Sequence, residues 1–197
     1  MGIEFELKYR ATEKTQALLQ AAIAGEERHF QMETTYYDTP DGALSARFYT
    51  LRCRRENDVR ICTLKYPAGN DGRGEIEVEC DNIIAALPKL CKLSGLQDLD
   101  DLTKGGLIPV CGAKFHRITK TFCHNGTTME LALDRGVLTG GGKEIPLCEI
   151  ELELKDGEAD TVRTYAAGLA AAFYLEPEKR SKFRRALDLA KGDGSHV

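Results

Sequence analysis

Ile3-Glu4-Phe5-Glu6-Leu7-Lys8-Tyr9-Arg10 sets apolar side chains at every odd position and charged ones at every even position. A period of two is that of a β-strand, so the stretch predicts a strand with one apolar and one charged face. The alternation returns along the chain. Arg52 and Arg54 share a face in Thr50-Leu51-Arg52-Cys53-Arg54, and Thr63 and Lys65 share one in Cys62-Thr63-Leu64-Lys65. Arg73, Glu75, Glu77 and Glu79 align on the next run, and Glu130 aligns with Asp134 in Met129-Glu130-Leu131-Ala132-Leu133-Asp134. Glu149, Glu151, Glu153 and Lys155 align last, with Ile150, Leu152 and Leu154 on the opposite side.

Turn and cap signals divide the rest. Thr12 reads as the N-cap of a helix over 13–24 that Gly25 stops. Aromatic and β-branched residues predict a strand over 28–39, ended by Thr39-Pro40-Asp41-Gly42, where Asp41 can cap one helical turn. Strands over 48–55 and 59–66 join through Glu56-Asn57-Asp58, 67–74 is a loop, and 73–80 is a further strand. Residues 82–106 read as helical pieces, with Pro88 near a start and Gly95 near a stop. Asn125-Gly126 predicts a tight hairpin between strands over 107–124 and 127–133. Gly140-Gly141-Gly142 is a loop before a strand over 145–155, and helices follow over 159–174 and, in a basic segment opened by Pro177, over 178–191. Many hairpin-spaced strands with few helices predict one α+β domain built on an antiparallel sheet or barrel, over residues 1–191, with 192–197 as a flexible tail.

Composition agrees with a single soluble domain. The chain has 197 residues, 42% of them hydrophobic and 29% charged, which excludes a disordered or fibrous chain. A net charge of −4 argues against a broad nucleic-acid footprint. The longest apolar run, 169–175, is too short to span a bilayer. No apolar segment follows Met1, and the seven cysteines contain no C-x-x-C spacing. A cytoplasmic protein with reduced thiols is therefore expected, and a homodimer is compatible with such a domain.

The segregation of charge types carries the chemistry. A strand exposed to solvent on one face normally mixes opposite charges along and between strands. Here carboxylates come in sets on some strands while others carry only Arg or Lys. Clustered carboxylates suit hard divalent cations such as Mg²⁺ or Mn²⁺. Arg, with its bidentate fork, and Lys, as a point charge, suit phosphate. If the sheet curls with its charged face inward, acids and bases converge on one metal–polyphosphate site. The four histidines are scattered and none sits beside a nucleophile, no cysteine has an activating context, and the Gly140 triplet lacks the Gly-Lys-Ser/Thr of a P-loop.

These residues resemble a known family. Glu4-Phe5-Glu6-Leu7-Lys8 resembles the E-x-E-x-K signature of the CYTH superfamily, the triphosphate tunnel metalloenzymes. Tyr37-Asp38-Thr39-Pro40, Leu51-Arg52-Cys53-Arg54, Thr63-Leu64-Lys65 and Glu149-Ile150-Glu151-Leu152-Glu153 resemble its further motifs in the family's order. The resemblance implies a closed antiparallel eight-stranded barrel with a polar interior, flanked by helices, that binds a small-molecule triphosphate with Mg²⁺ or Mn²⁺. It implies phosphate contacts from Lys8, Arg52, Arg54, Lys65, Arg117 and Lys182, and metal ligands from Glu4, Glu6, Glu130, Asp134, Glu149, Glu151 and Glu153. Glu4, Glu6 and Lys8 take the catalytic end. A second basic residue near Arg117 is missing, since Phe115 and Thr119 flank it. Of the basic tail, only Lys182 is expected to leave solvent. The activity so implied is metal-dependent hydrolysis of a linear triphosphate, inorganic tripolyphosphate foremost. The alternatives are a class IV adenylate cyclase, a thiamine triphosphatase, or a non-catalytic binder of polyphosphate or nucleotide.

Overall fold

The computed structural model describes residues 5–68 and 72–192. Among the described residues nine strands form one antiparallel sheet: β1 (Glu6–Arg10), β2 (Glu27–Asp38), β3 (Thr50–Glu56), β4 (Val59–Ala68), β5 (Gly72–Glu79), β6 (Ile108–His124), β7 (Thr127–Gly140), β8 (Lys143–Asp156) and β9 (Glu176–Pro177). Their spatial order is β5-β4-β3-β2-β6-β7-β8-β1-β9. The helices are α1 (Glu13–Ala22), α2 (Ala43–Ala46), α3 (Ile83–Ser94), α4 (Leu99–Thr103), α5 (Ala159–Phe173) and α6 (Lys182–Lys191).

The register explains why parity could be read from sequence. Residues directly opposite each other on paired strands share a face. Glu6 faces Glu153 and Lys8 faces Glu151; Asp134 faces both Arg117 and Glu149; Glu130 faces Glu153. Arg52 faces Thr63, Thr63 faces Glu77, and Lys65 faces Glu75. The charged sets of all these strands therefore fall on one side of the sheet. Side chains of β1, β3, β4, β5, β6 and β8 line one cavity, so the sheet curls around that side.

Apolar residues of the opposite parity pack under helices outside the curl. Leu19 and Ile23 of α1 and Val162 and Ala166 of α5 bury Leu131, Leu133, Ile150 and Leu152. Ile83, Ala86 and Leu90 of α3 and Leu99 of α4 bury Leu51, Cys62, Leu64 and Ile76. Each buried Leu or Ile side chain is worth about 1.5–3 kcal/mol, so these two layers fix which face of the sheet is convex.

Three expectations change. The barrel expected with eight strands and full closure is a nine-stranded sheet that stays open: among the described residues no ladder joins β5 to β1 or β9. The edge beyond β1 is taken by the two-residue β9, which contains Pro177 and so lacks a donor there. The helices do not all flank the sheet either. α6 lies inside the curl, where Phe183, Ala186 and Leu187 meet Tyr36, Phe115, Leu138 and Leu147, residues of the charged-face parity that make one end of it apolar. Finally, Pro88 sits inside α3 rather than at a start, because Asn82 accepts from the Ala85 N–H and caps the helix six residues earlier.

Boundaries shift where a ladder outweighs local pattern. β7 runs on past Leu133 to Gly140 because β6 and β8 pair with it on both sides through Asp134-Arg135-Gly136, where alternation fails. The Asn125-Gly126 hairpin is as expected, with positive φ at both residues (48° and 75°). α6 starts at Lys182, not at Glu178, because the Ser181 side chain accepts from the Arg184 N–H and sets the N-cap there.

α6 rests directly on the backbone of β7. A Cβ on Gly140 would lie 2.3 Å from the Ala186 carbonyl oxygen and 2.8 Å from the Ala190 nitrogen, both main-chain atoms that cannot swing aside. Gly140→Ala is expected to lift α6 and cost about 2 kcal/mol. Urea unfolding followed by circular dichroism checks it; an unchanged midpoint would show that α6 is not seated on β7.

Candidate functional site

The curl encloses a cavity of about 730 Å³ lined by Glu6 and Lys8 of β1, Arg52 and Arg54 of β3, Lys65 of β4 and Glu75 of β5, with Arg117, Glu151 and Glu153 opposite. A second cavity of about 550 Å³ shares Arg52, Arg54, Glu75, Arg117 and Glu153 and extends to Glu130 and Lys155. The two are ends of one polar trough.

One wall is a dense ionic network. Arg117 grips Asp134 with two bonds of 2.7 Å, from Nε to Oδ1 and from Nη2 to Oδ2, and reaches Glu151 Oε2 at 2.5 Å. Lys182 Nζ lies 2.8 Å from Asp134, 2.6 Å from Glu149 and 2.6 Å from Glu151. The ammonium donates to Glu151 Oε1 and sits as an ion-pair partner between the other two carboxylates. Arg185 pairs with Glu149 and lies 3.9 Å from the buried Glu178. Burial pushes the Glu151 carboxyl up, but Lys182, Arg117 and Lys8 outweigh it and hold the group well below the ordinary carboxylate range. Burial likewise pulls Lys182 and Arg117 down, and the carboxylates around them raise both instead. Glu151, Lys182 and Arg117 thus hold one another in their charged forms.

The facing wall is built from β3, β4 and β5. Arg52 Nη2 lies 3.4 Å from Glu75 and 3.5 Å from Glu77, and Lys65 Nζ lies 3.2 Å from Glu75. Arg54 pairs with Glu56 and lies 3.7 Å from Glu77. Its Nε is buried without an acceptor among the described residues. Burial and then the neighbouring Arg52 charge lower its pKa, and Arg117 adds to the effect. A guanidinium does not give up its proton in a protein, so the shift records chiefly the burial of a charged group, with the Arg52 charge second.

The carboxylates suit a divalent cation by donor type. Oxygens of Asp134, Glu149 and Glu151 lie within 4.8 Å of one another, hard ligands of the kind Mg²⁺ and Mn²⁺ take. Lys182, Arg117 and Arg185 together already balance the charge of that trio. Glu6, Glu153 and Glu130 follow one another across β1, β8 and β7 with lighter basic company, Lys8 at 3.0 Å from Glu6 and Lys155 at 2.7 and 3.2 Å from Glu153 and Glu130. Both sets fit a hard cation in chemistry.

Of the residues picked from sequence, Arg117, Asp134, Glu149, Glu151 and Lys182 meet in the first network, and Arg52, Arg54 and Lys65 stand in the second. Glu6, Lys8, Glu130 and Glu153 line the trough between and beyond them. Glu4 lies outside the described residues. Arg185 was missed: its side chain is only 11% exposed, so the basic tail is less solvated than expected. Its spacing of three from Lys182, one turn on along the same helix face, was the available signal. The cation missing beside Arg117 comes from α6, for Lys182 Nζ lies 5.4 Å over the Phe115 ring. Asp38, not Asp41, serves α2: its carboxylate accepts from the backbone N–H groups of Thr39, Leu44 and Ser45 at 2.8–3.2 Å. The Tyr37-Asp38-Thr39-Pro40 segment thus anchors the turn into β3.

The chain is thus a curled antiparallel sheet with a polar trough of mixed charge and a basic helix inside it. The chain belongs to the CYTH family, whose domain matches residues 2–187. It is 31% identical over 136 residues to an inorganic triphosphatase of Haemophilus influenzae, a match covering 67% of this chain and 38% of that relative. The chain therefore spans about two-fifths of that relative's length. In fold it resembles a candidate adenylyl cyclase of Hippeastrum that reveals a dominant triphosphatase activity (TM-score 0.64, 20% identity, 98% and 96% of the two chains). It also resembles a candidate adenylate cyclase of Bacillus halodurans (0.63, 19%, 93% and 96%) and a Pyrococcus horikoshii protein (0.60, 24%, 95% and 99%).

Removing Lys182 leaves three adjacent buried carboxylates facing fewer cations. Lys182→Met is expected to cost about 3 kcal/mol at pH 8. The pH dependence should reverse locally. With Lys182 present, the depressed Glu151 pKa contributes stability above the unfolded carboxylate pKa that is lost as pH falls through the folded value. Without it, protonating one of the three relieves repulsion, so the deficit should shrink towards pH 5. Urea unfolding at both pH values tests this; an equal deficit at both would contradict it.

Proposed function

We propose that this protein hydrolyses a linear triphosphate, with inorganic tripolyphosphate as its first substrate and Mg²⁺ or Mn²⁺ as cofactor. The observation that carries the reading is the crowding of Arg52, Arg54 and Arg117 around one trough, with a buried Arg54 Nε lacking an acceptor. Family membership and the inorganic triphosphatase relative support it. In this reading residues 1–191 work as one tunnel domain, with α6 closing one end.

Lys8, Arg52, Arg54, Lys65 and Arg117 would neutralise the non-bridging phosphate oxygens and hold the chain in line for displacement. Glu6, Glu151, Glu153 and Glu130, with Glu4 by resemblance, would hold the cation. When bound, that cation screens phosphate charge and lowers the pKa of a water. Attack by water on a terminal phosphorus forms one P–O bond and breaks the anhydride P–O bond, leaving pyrophosphate and phosphate. Arg52 and Arg54 would take up charge that gathers on the leaving oxygen. Lys182, surrounded by Asp134, Glu149 and Glu151, would position the acids rather than touch phosphate.

Phe48 favours a second reading, an organic triphosphate. It lines the cavity beside Tyr49, is 76% exposed, and sits at φ +60°, a conformation that costs a bulky residue on the order of 1 kcal/mol. Such a ring can stack on an aromatic group carried by the triphosphate. A phosphate-release screen of tripolyphosphate, ATP, thiamine triphosphate and pyrophosphate with each cation, alongside cyclic AMP formation from ATP, separates the readings. Tripolyphosphate should give the highest kcat/KM. Arg54→Ala should lower that value about 100-fold, mainly through KM. Phe48→Ala should leave tripolyphosphate turnover within twofold; a tenfold loss confined to ATP or thiamine triphosphate would favour the second reading. No phosphate release from any of the four substrates would refute hydrolysis.

A further inference from the structure

The convex face of β2 and β6 holds a pair of histidines that the trough does not use. His29 and His116 occupy odd and even positions whose neighbours on the ladder, Gln31 opposite His116 and Ile118 opposite His29, place them diagonally on adjacent strands. They lie on the face opposite Phe30 and Arg117, hence away from the trough. His29 Nδ1 is 3.3 Å from His116 Nε2, and the rings are tilted by 34° with centroids 5.2 Å apart. The His29 side chain is half exposed, so the pair is open to solvent.

From these contacts we infer a second metal site, specific for a borderline transition ion of the Zn²⁺, Ni²⁺ or Cu²⁺ class, with His29 Nδ1 and His116 Nε2 as its protein ligands. Two zinc–nitrogen bonds of about 2.05 Å spanning the observed 3.3 Å make an angle of about 107°, close to tetrahedral. The nitrogen spacing thus suits chelation by both rings. The outer nitrogen of His29 is also held: Nε2 lies 3.4 Å from Glu27 Oε2. A carboxylate on the far nitrogen is the usual orienter of a ligating imidazole, since it takes the ring N–H and leaves the lone pair on the other nitrogen. Glu27 is itself fixed, by Gln20 Nε2 at 3.0 Å and Lys120 Nζ at 3.1 Å. Arg135, opposite His116, is turned to Gln16 and Glu13 of α1 at 3.1–3.3 Å, and Lys114, on the same face, lies 3.2 Å from Glu33. Imidazole selects this class over Mg²⁺, which prefers oxygen, so the two faces of the sheet would sort two kinds of cation. Two coordination positions remain for water. Bound there, the ion ties β2 to β6, the ladder that carries Arg117.

Equilibrium dialysis of the full chain against Zn²⁺ in excess Mg²⁺ tests the site. One Zn²⁺ per chain should be retained. His29→Gln and His116→Gln should each weaken binding at least tenfold, and Glu27→Gln two- to fivefold, while Mg²⁺-supported phosphate release by the two histidine variants stays within twofold. Zinc should also shift the imidazole resonances of His29 and His116 in the unaltered protein, a reading that does not depend on the variants folding. Undiminished Zn²⁺ binding by either histidine variant, as a thiol or trough site would give, overturns the assignment. So do resonance shifts confined to other residues.

Discussion

The structure depends on one buried ionic arrangement: Asp134, Glu149 and Glu151 held by Arg117, Lys182 and Arg185. Taking six charges out of water costs several kcal/mol per ion, and mutual attraction offsets this only with close geometry and matched donors. The geometry here is close: Arg117 donates twice to Asp134 at 2.7 Å and Lys182 donates to Glu151 at 2.6 Å, with Asp134 and Glu149 within 2.8 Å of the same ammonium. The two halves of the network come from sequence positions far apart, the sheet and the last helix. Neither half could stay buried alone, so α6 and the charged face of β6, β7 and β8 must find each other together.

That constraint shapes the trough. Both walls pair basic groups with acids, Arg117, Lys182 and Arg185 with Asp134, Glu149 and Glu151 on one, and Arg52, Arg54 and Lys65 with Glu56, Glu75 and Glu77 on the other. The trough thus presents cations and carboxylates on both sides. The apolar end of the concave face, Tyr36, Phe115, Leu138 and Leu147, receives the apolar stripe of α6 and holds the helix in the register that aims Lys182 at the acids. Packing and electrostatics thereby fix the same helix from two sides.

Much of this was legible in the chain. Period-two alternation gave the strands and sorted their residues onto faces, because a strand leaves no choice about which side a residue takes once its neighbour is placed. Asn125-Gly126 gave a hairpin through the φ that only such residues adopt readily. The charged faces, gathered by type, gave the site residues of the sheet. Boundaries failed where local pattern was overridden, as at Asp134-Arg135-Gly136, where two neighbouring ladders carry the strand through a break in alternation.

By itself the sequence determined the antiparallel strands and the parity of Lys8, Arg52 and Glu151, which follow from residue type at fixed spacing, and the resemblance to the CYTH family, which follows from motifs in order. Only the tertiary structure decided that the sheet stays open at β5 and β9, that α6 enters the curl, and that Arg185 joins Lys182 among the acids. Those outcomes depend on which surfaces meet across long sequence separations. Period and propensity act over a few residues and carry no record of such meetings.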